Sequence, residues 1–308
     1  MKDIILYAYH MDVKEFREYN SDILFKYNGN EYLFCKLKID EKELLELVAL
    51  NQELISKNFK TFWFVENVEN NLITLNNGIK YVLLKIGEPF LEYDLIDLLD
   101  YQKLLILKKR GMSLYRHDWA ELWIKKIDYL EYQISERGKS YPVILNSFSY
   151  YVGLAENAIC YYKNIVKNYP NYQPRLVLAH KRITYPNYCI SFCNPLNYIV
   201  DVRGRDVCSY LKSMFFSRQE NVLNELRFYI ESEKPDGYEL GTFFARLLYP
   251  SYYFDLYERV MEENGREDEL LKIVDLIEDY EFFLKEAWLL INKYVVIPGI
   301  DWIIKKEL

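Results

Sequence analysis

The stretch LVLAHKRITYPN, residues 176–187, joins an apolar run typical of a strand to a polar loop. His180 ends the apolar run, Arg182 follows two positions later, and Asn187 closes the loop directly after a proline. A second apolar run lies downstream and leads into Asp201. The histidine, the arginine, the asparagine and the aspartate are therefore the first candidates for a functional site.

Upstream of this stretch, the first third of the chain predicts strands around one helix. The N-terminal apolar run predicts a first strand that ends at His10. Asn28 and Gly29 separate the next two apolar runs and predict a β-hairpin, because both residues tolerate positive φ. Asp40, with Glu43 three residues later, predicts the capped start of an amphipathic helix. Three more β-rich runs complete this part, and an Asn-Asn-Gly turn joins the last two.

Helical periodicity replaces the strand pattern after a short Gly/Pro hinge at residues 87–89. One helical run ends at Gly111 and a second at Gly138, where a C-cap glycine belongs. The inward-facing residues expected of the second run are Trp119, Leu122, Trp123, Leu130 and Ile134. A third helix stops before Pro170, and the chain is almost wholly helical from residue 205 onward.

The order of these elements predicts an α+β fold with two lobes. The smaller lobe, residues 1–87, is expected to be a β-rich N-lobe with an antiparallel sheet and one helix. The larger lobe, residues 88–308, is expected to be a mainly helical C-lobe.

Composition and charge restrict the classes of function. The chain has 308 residues, of which 51% are hydrophobic and 28% charged, as in a globular protein with a buried core. A formal net charge of −7 without a strongly basic block argues against nucleic-acid binding. No apolar run approaches the ~18 residues that span a bilayer, and the N-terminal run lacks the features of a signal peptide. We therefore expect an intracellular protein with no membrane span and no nucleic-acid partner.

The cysteines indicate reduced thiols rather than disulfides or a zinc site. They are odd in number and scattered along the chain, at Cys35, Cys160, Cys189, Cys193 and Cys208. Cys189 and Cys193 are close in sequence, but no second Cys or His pair of suitable spacing follows, and structural zinc requires four ligands. No nucleophile and base pair and no G-x-S-x-G motif supports a hydrolase.

The order of several motifs resembles one group of proteins. The segment HKRITYPN matches the H-x-D-x-x-x-x-N loop of the aminoglycoside phosphotransferase and choline kinase-like superfamily, except that Arg182 occupies the aspartate position. The stretches WAELWIKKIDYLE, SYYVGLAENAI, FFARLLYPSYYFD and IPGIDWI resemble the spore-coat CotS/YutH-like branch of that superfamily. Together the motifs cover most of the chain from Trp119 to Trp302. The resemblance implies a protein-kinase-like fold and a role connected with sporulation.

By this resemblance, the loop lacks its catalytic carboxylate. Phosphoryl transfer requires magnesium to neutralise the phosphates and a carboxylate that orients the acceptor hydroxyl. Arg182 stays protonated and cannot accept a proton, and its charge would repel a magnesium ion about 4 Å away by several kcal/mol. In an active site of this type, Asn187 and Asp201 would hold the metal, with Asn197 as a rival to Asp201. Asp206, a further candidate for the acidic turn, is expected to cap the next helix.

Two of these residues have a structural interpretation beside the functional one. Asn187 follows a proline and fits a polar turn equally well. His180 is expected to be a buried, hydrogen-bonded residue that braces the loop rather than a general base.

The sequence offers few candidates for a nucleotide-binding site. The segment between the first two predicted strands has no glycine, so no flexible backbone nest can close over phosphates. Lys36 or Lys38 on the third strand is a candidate for pairing with phosphates, with Glu46 of the helix as its ionic partner. Strand lysines beside helix glutamates are also common on solvated faces.

Two hypotheses follow. The favoured one is a catalytically degenerate kinase-fold protein, a pseudokinase without a cofactor, which binds protein partners or a small-molecule ligand during assembly of the spore coat. Such a protein would be cytoplasmic and associated with the forespore or spore coat. The alternative is an atypical small-molecule kinase that uses ATP and magnesium to phosphorylate a hydroxyl- or amine-bearing metabolite.

Overall fold

The computed structural model divides the chain into two compact units. The described residues are 2–19, 22–87, 93–105, 107, 112–183, 188–263 and 266–305. Unit 1 comprises Met1–Tyr115 and Leu176–Asp201, and unit 2 comprises Arg116–Arg175 and Val202–Leu308. The domain boundary expected at residue 87 stays a prediction.

Eight strands and a larger set of helices build the described part of the chain. The strands are β1 Phe16–Tyr19, β2 Asp22–Tyr27, β3 Asn30–Lys36, β4 Trp63–Val65, β5 Thr74–Asn76, β6 Ile79–Ile86, β7 Leu176–His180 and β8 Tyr198–Val202. The α-helices are α1 Lys2–Tyr9, α2 Glu41–Ser56, α3 Leu95–Lys103, α4 Trp119–Arg137, α5 Pro142–Asn168, α6 Tyr188–Cys193, α7 Gly204–Phe216, α8 Val222–Glu233, α9 Gly237–Leu248, α10 Ser251–Glu263, α11 Asp268–Val274, α12 Ile277–Asn292 and α13 Asp301–Ile304. This combination of a small sheet with a mostly helical remainder confirms the predicted α+β class.

The sheet of unit 1 is antiparallel, in the order β1-β2-β3-β6-β4, and β5 also pairs with β6. Both predicted Asn-Gly turns are present. Asn28 and Gly29 have φ values of 47° and 76°, and Asn77 and Gly78 have φ values of 49° and 77°. Positive φ at both central residues is what a two-residue hairpin turn requires, and it explains why the sequence signal is reliable.

The N-terminal apolar run forms the helix α1, so the predicted first strand is wrong. Ile5 and Tyr9, four residues apart, lie on one helical face and are buried in a cluster that includes Phe34 of the sheet. The Tyr9 hydroxyl lies 2.9 Å from Thr74 Oγ1. Packing on the sheet thus selects the helix, and His10 follows it with a φ of 53°.

Two helices of unit 1 begin at aspartate caps. Asp40 precedes α2 and its Oδ1 accepts a hydrogen bond of 2.8 Å from the Glu43 amide, which confirms the predicted start. Asp94 caps α3 through a capping box with Asp97. α3 ends at Lys103, earlier than expected, and the predicted C-cap Gly111 lies outside the described residues.

The inward face predicted for α4 is buried only in part, since Trp119 and Ile134 are half-buried. In α4, Trp123 and Leu130 are buried as expected, but Leu122 is 40% exposed. Ala120, Trp123, Ile127 and Leu130 define the buried face of α4, and Leu122, about 100° around the helix from Trp123, lies outside that face. α5 stops before Pro170, as predicted, and no helix among the described residues has the length and apolar composition needed to cross a bilayer.

Buried tyrosine hydroxyls predict a loss of stability at alkaline pH. Burial raises the pKa of Tyr151, Tyr253 and Tyr280, and it raises the pKa of Tyr257 to about 12. In the unfolded chain these groups titrate near their ordinary pKa of about 10. A raised folded-state pKa contributes stability that is complete below the unfolded-state value and is lost as pH rises above it. We therefore expect the free energy of unfolding to fall steadily above pH ~10.

Denaturant titrations at a series of pH values, with tyrosinate absorbance as a second signal, measure this loss. The Tyr257→Phe variant should show a shallower alkaline decline. The matched Tyr132→Phe change, at a side chain that is 66% exposed, should leave the decline unaltered. A flat profile through pH ~11 would contradict the prediction.

Candidate functional site

The candidate site lies on a strand, loop, helix and strand segment, residues 176–202. β7 and β8 pair with each other, and their residues Val177, Ala179 and Ile199 form a small buried cluster. This burial holds the strand end that precedes the loop. The loop is followed by α6 and a short 3₁₀ turn, Pro195–Asn197.

His180, at the end of β7, is buried among aromatic rings. It is 1% exposed, and its Nε2 donates a hydrogen bond of 3.0 Å to the carbonyl oxygen of Phe192 in α6. Its ring centroid lies 5.0 Å from that of Tyr101, 5.1 Å from that of Phe192 and 5.2 Å from that of Tyr198. In this position the side chain braces the loop segment through backbone and ring contacts.

Asn197 fixes the start of the loop. Its Oδ1 accepts from the amide of Arg182 at 3.2 Å, and its Nδ2 donates to the carbonyls of Arg182 at 2.7 Å and Ser191 at 2.6 Å. Its own carbonyl accepts from the Lys181 amide at 2.7 Å. The carboxamide thus forms hydrogen bonds with backbone groups on both its oxygen and its nitrogen. These bonds fit a structural role for Asn197 better than a role as a metal ligand.

Two cations occupy the first positions of the loop. The exposed Arg182 side chain donates from Nη1 to the carbonyl oxygen of Lys181 at 2.9 Å. The Lys181 Nζ donates to the carbonyl oxygen of Leu196 at 2.8 Å. Neither a guanidinium nor an ammonium can accept a proton or ligate a cation. This end of the loop is therefore positive where the sequence resemblance implies a carboxylate.

Asp201 and Asp206 are both buried, with 0% exposure. Asp201 lies in β8. The expectation that Asp206 caps a helix is wrong, because α7 begins at Gly204 and Asp206 is its third residue. The helix starts early because Arg203, the residue before it, already has helical backbone angles, φ −52° and ψ −41°. The Arg203 side chain makes no capping hydrogen bond to the helix. A carboxylate in the first turn still interacts favourably with the helix dipole.

The metal-binding pair implied by the resemblance, Asn187 and Asp201, cannot be assembled from the described residues. Asn187 lies outside them. In the part of the chain that is described, no group of three or more His, Cys, Asp or Glu side chains could hold a metal ion. The assignment of this pair stays a prediction.

A buried polar network, which no motif indicated, connects the loop segment to the rest of unit 1. Thr61 Oγ1 lies 2.6 Å from Asn51 Oδ1, 2.9 Å from the Cys193 carbonyl oxygen and 3.0 Å from the Tyr198 hydroxyl. Asn51 Nδ2 donates to the carbonyl of Phe62 at 2.9 Å. The network joins α2, α6 and β8. The one available signal was an asparagine among the buried leucines of α2.

The candidate residues for phosphate pairing do not come together. Glu46 accepts from the Ser113 amide at 3.1 Å and hydroxyl at 2.6 Å, and no ion pair joins it to Lys36 among the described residues. Lys36 ends β3 on the same face as Phe34, because alternate strand residues share a face, and that face is the one that α1 covers. Lys38 is exposed beyond the strand. The expected Lys36–Glu46 pair is therefore not formed, and a nucleotide-binding role for these residues stays a prediction.

Comparison with curated proteins points to one family. A family model described as "Spore coat putative kinase YutH" matches residues 2–287. The endospore coat-associated protein YutH of Bacillus subtilis is 25% identical over an alignment of 303 residues, which covers 86% of this chain and 86% of that protein. Both findings agree with the resemblance read from the motifs.

Solved phosphotransferase structures share the fold over most of the chain. An aminoglycoside phosphotransferase from Alicyclobacillus acidocaldarius superimposes with a TM-score of 0.64 at 10% identity, covering 95% of this chain and 97% of that one. A spectinomycin phosphotransferase in complex with ADP and spectinomycin gives a TM-score of 0.57 at 11% identity, covering 94% and 97%. At such identities the likeness concerns the fold alone, and it confirms the protein-kinase-like fold.

Proposed function

Because the chain belongs to the YutH family of spore coat proteins, we propose that it is a catalytically inactive kinase-fold protein that binds partners during assembly of the endospore coat. The relative from Bacillus subtilis is described as endospore coat-associated. In this role the protein would act in the cytoplasm, at the forespore or the spore coat. It would bind coat proteins or a small-molecule ligand, and it would need no cofactor.

The single observation that carries the proposal is the identity and placement of Arg182. It follows the buried His180 by two positions, and its backbone is held by Asn197. The contacts of His180 and Asn197 that hold the start of the loop are therefore formed. The side chain at the position that would orient an acceptor hydroxyl, however, is a guanidinium. A permanently protonated side chain supplies no general base, and its charge opposes magnesium binding nearby.

A second candidate function is an atypical small-molecule kinase. The buried Asp201 at the end of an apolar strand run favours it, since an aspartate in this place is a candidate magnesium ligand. Such an enzyme would use ATP and magnesium, take Asn187 as a second ligand, and need another acid as base. Its acceptor would carry a hydroxyl or an amine.

Thermal unfolding with ATP and magnesium, together and separately, distinguishes the two functions. A ligand at a hundred times its Kd stabilises the folded state by about 2.7 kcal/mol. We expect no magnesium-dependent stabilisation of the natural chain and no release of phosphate from ATP. Magnesium-dependent stabilisation together with phosphate transfer to a hydroxyl or amine acceptor would overturn the proposal.

The Arg182→Asp variant is the matched companion in this experiment. It replaces the guanidinium by a carboxylate at a side chain that is exposed, so the fold should tolerate the change. We expect it to remain inactive, because the Lys36–Glu46 pair is also missing. The variant Arg182→Gln removes the charge without adding an acid and controls for repulsion alone. Phosphate transfer by the aspartate variant, but not by the glutamine variant, would show that the rest of the site is complete. That result would contradict the degenerate site proposed here.

A further inference from the structure

A groove between α4 and α5 of unit 2 lies apart from the loop segment. Its volume is about 510 Å³, and the apolar residues that line it are Ile124, Ile127 and Ile159. Ile127 and Ile159 are 6% and 8% exposed, so they form a floor rather than a rim. A volume of this size is in the range of ordinary ligand and peptide sites.

Carboxylates surround this apolar floor. Asp128 and Glu131 on α4 and Glu156 on α5 line the groove and are exposed, and none of the three has an ion-pair partner among the described residues. The cation on the same rim, Lys163, lies 3.7 Å from Glu121 and is partly neutralised by it. With three carboxylates and one lysine, the rim has a net negative charge.

The spacing of the lining residues sets the length of an occupant. On α4 the residues Ile124, Asp128 and Glu131 follow one another at i, i+4 and i+7, so they share one helical face over about two turns, or about 10 Å. Tyr132, four residues after Asp128, is 66% exposed beside this face. An aromatic ring next to carboxylates attracts a cation through its π face as well as through charge.

We propose that this groove binds a basic amphipathic helix of a partner protein. Two apolar side chains of the helix, three or four residues apart, would enter the groove, and flanking Lys or Arg side chains would meet Asp128, Glu131 and Glu156. A second copy of this chain is the less favoured occupant, because the protein carries a net charge of −7 and like charges oppose self-association. The proposal does not depend on whether phosphoryl transfer occurs.

Fluorescence anisotropy with a labelled synthetic helix tests the proposal on the full chain. The probe carries leucines at i and i+4 with lysines on both flanks. We expect saturable binding that weakens as ionic strength rises from about 0.05 to 0.5 M, since exposed charge pairs are screened by salt. A triple variant, Asp128→Asn, Glu131→Gln and Glu156→Gln, should bind about tenfold more weakly.

The control variant neutralises three exposed carboxylates elsewhere in unit 2, Glu220→Gln, Glu262→Gln and Glu278→Gln, and should bind like the natural chain. Circular dichroism melts establish that both triple variants fold. Equal binding to both variants would overturn the proposal, as would equal binding of a probe whose leucines are replaced by serine. An alkylammonium ion that competes as strongly as the helix would identify a small-molecule site instead, and this too would overturn it.

Discussion

We expect the Phe192→Ala variant to lose about 3–5 kcal/mol of free energy of unfolding. The Phe192 side chain has 0% exposure, and its ring stacks on that of Tyr93 at a centroid distance of 4.1 Å. It also lies 5.2 Å from the ring of Tyr101 and 5.5 Å from that of Phe59. Removing it leaves a cavity in the cluster that holds His180. Denaturant unfolding measures the loss.

The control for this variant is Phe282→Ala on α12. The same atoms are removed, but Phe282 is 37% exposed, so we expect a loss of about 1 kcal/mol or less. Similar losses for the two variants would mean that the aromatic cluster around the loop segment is not tightly packed.

The Glu239→Ala variant should lose about 3 kcal/mol of free energy of unfolding, which is the lower end of the range for breaking a buried ion pair. The Glu239 side chain is 2% exposed, and its Oε2 lies 3.2 Å from Nη2 of both Arg175 and Arg203. The same oxygen accepts from the Asp236 amide at 3.2 Å and completes the capping box of α9. In the variant Arg203 still has its ion pair with Glu233, at 2.9 Å, and this limits the loss of stability.

A matched substitution separates burial from charge. Glu269→Ala removes the same side chain from an exposed pair with Arg259 at 3.1 Å, and surface pairs contribute about 0–1 kcal/mol. The two variants should therefore differ by about 2 kcal/mol or more in denaturant unfolding. Equal losses would show that the pairing at Glu239 adds no stability beyond that of an exposed pair.

Features set by a few adjacent residues could be predicted from the sequence. Asn28 and Gly29 produce a hairpin because their backbone preference is local, and Asp40 caps α2 for the same reason. Asp236 and Glu239, three residues apart, form the capping box at the start of α9, which is a local signal of the same kind. The N-terminal run was assigned wrongly because a short apolar segment fits a strand or a helix, and packing on the sheet decides between them.

The site was predictable only in part. The order of His180 and Arg182 gave the loop its resemblance, and the role of these residues stays a prediction. The position of Asp206 in α7 depended on where the helix begins, which varies with one or two residues of backbone. The network of Thr61 and Asn51 could not be predicted, since its partners Cys193 and Tyr198 are distant in sequence and no local pattern marks them.

The division of unit 1 into two separate stretches of chain has a consequence for its synthesis. Thr61 reaches its partner Cys193 across 132 residues of sequence. On the ribosome, translation proceeds at about 5–20 residues per second, so the interval between the emergence of residues 115 and 201 is roughly 4–17 s. During that interval the Phe59 and Tyr101 rings lack their partner Phe192, and we expect a chaperone that shields exposed apolar surface to raise the yield of native protein.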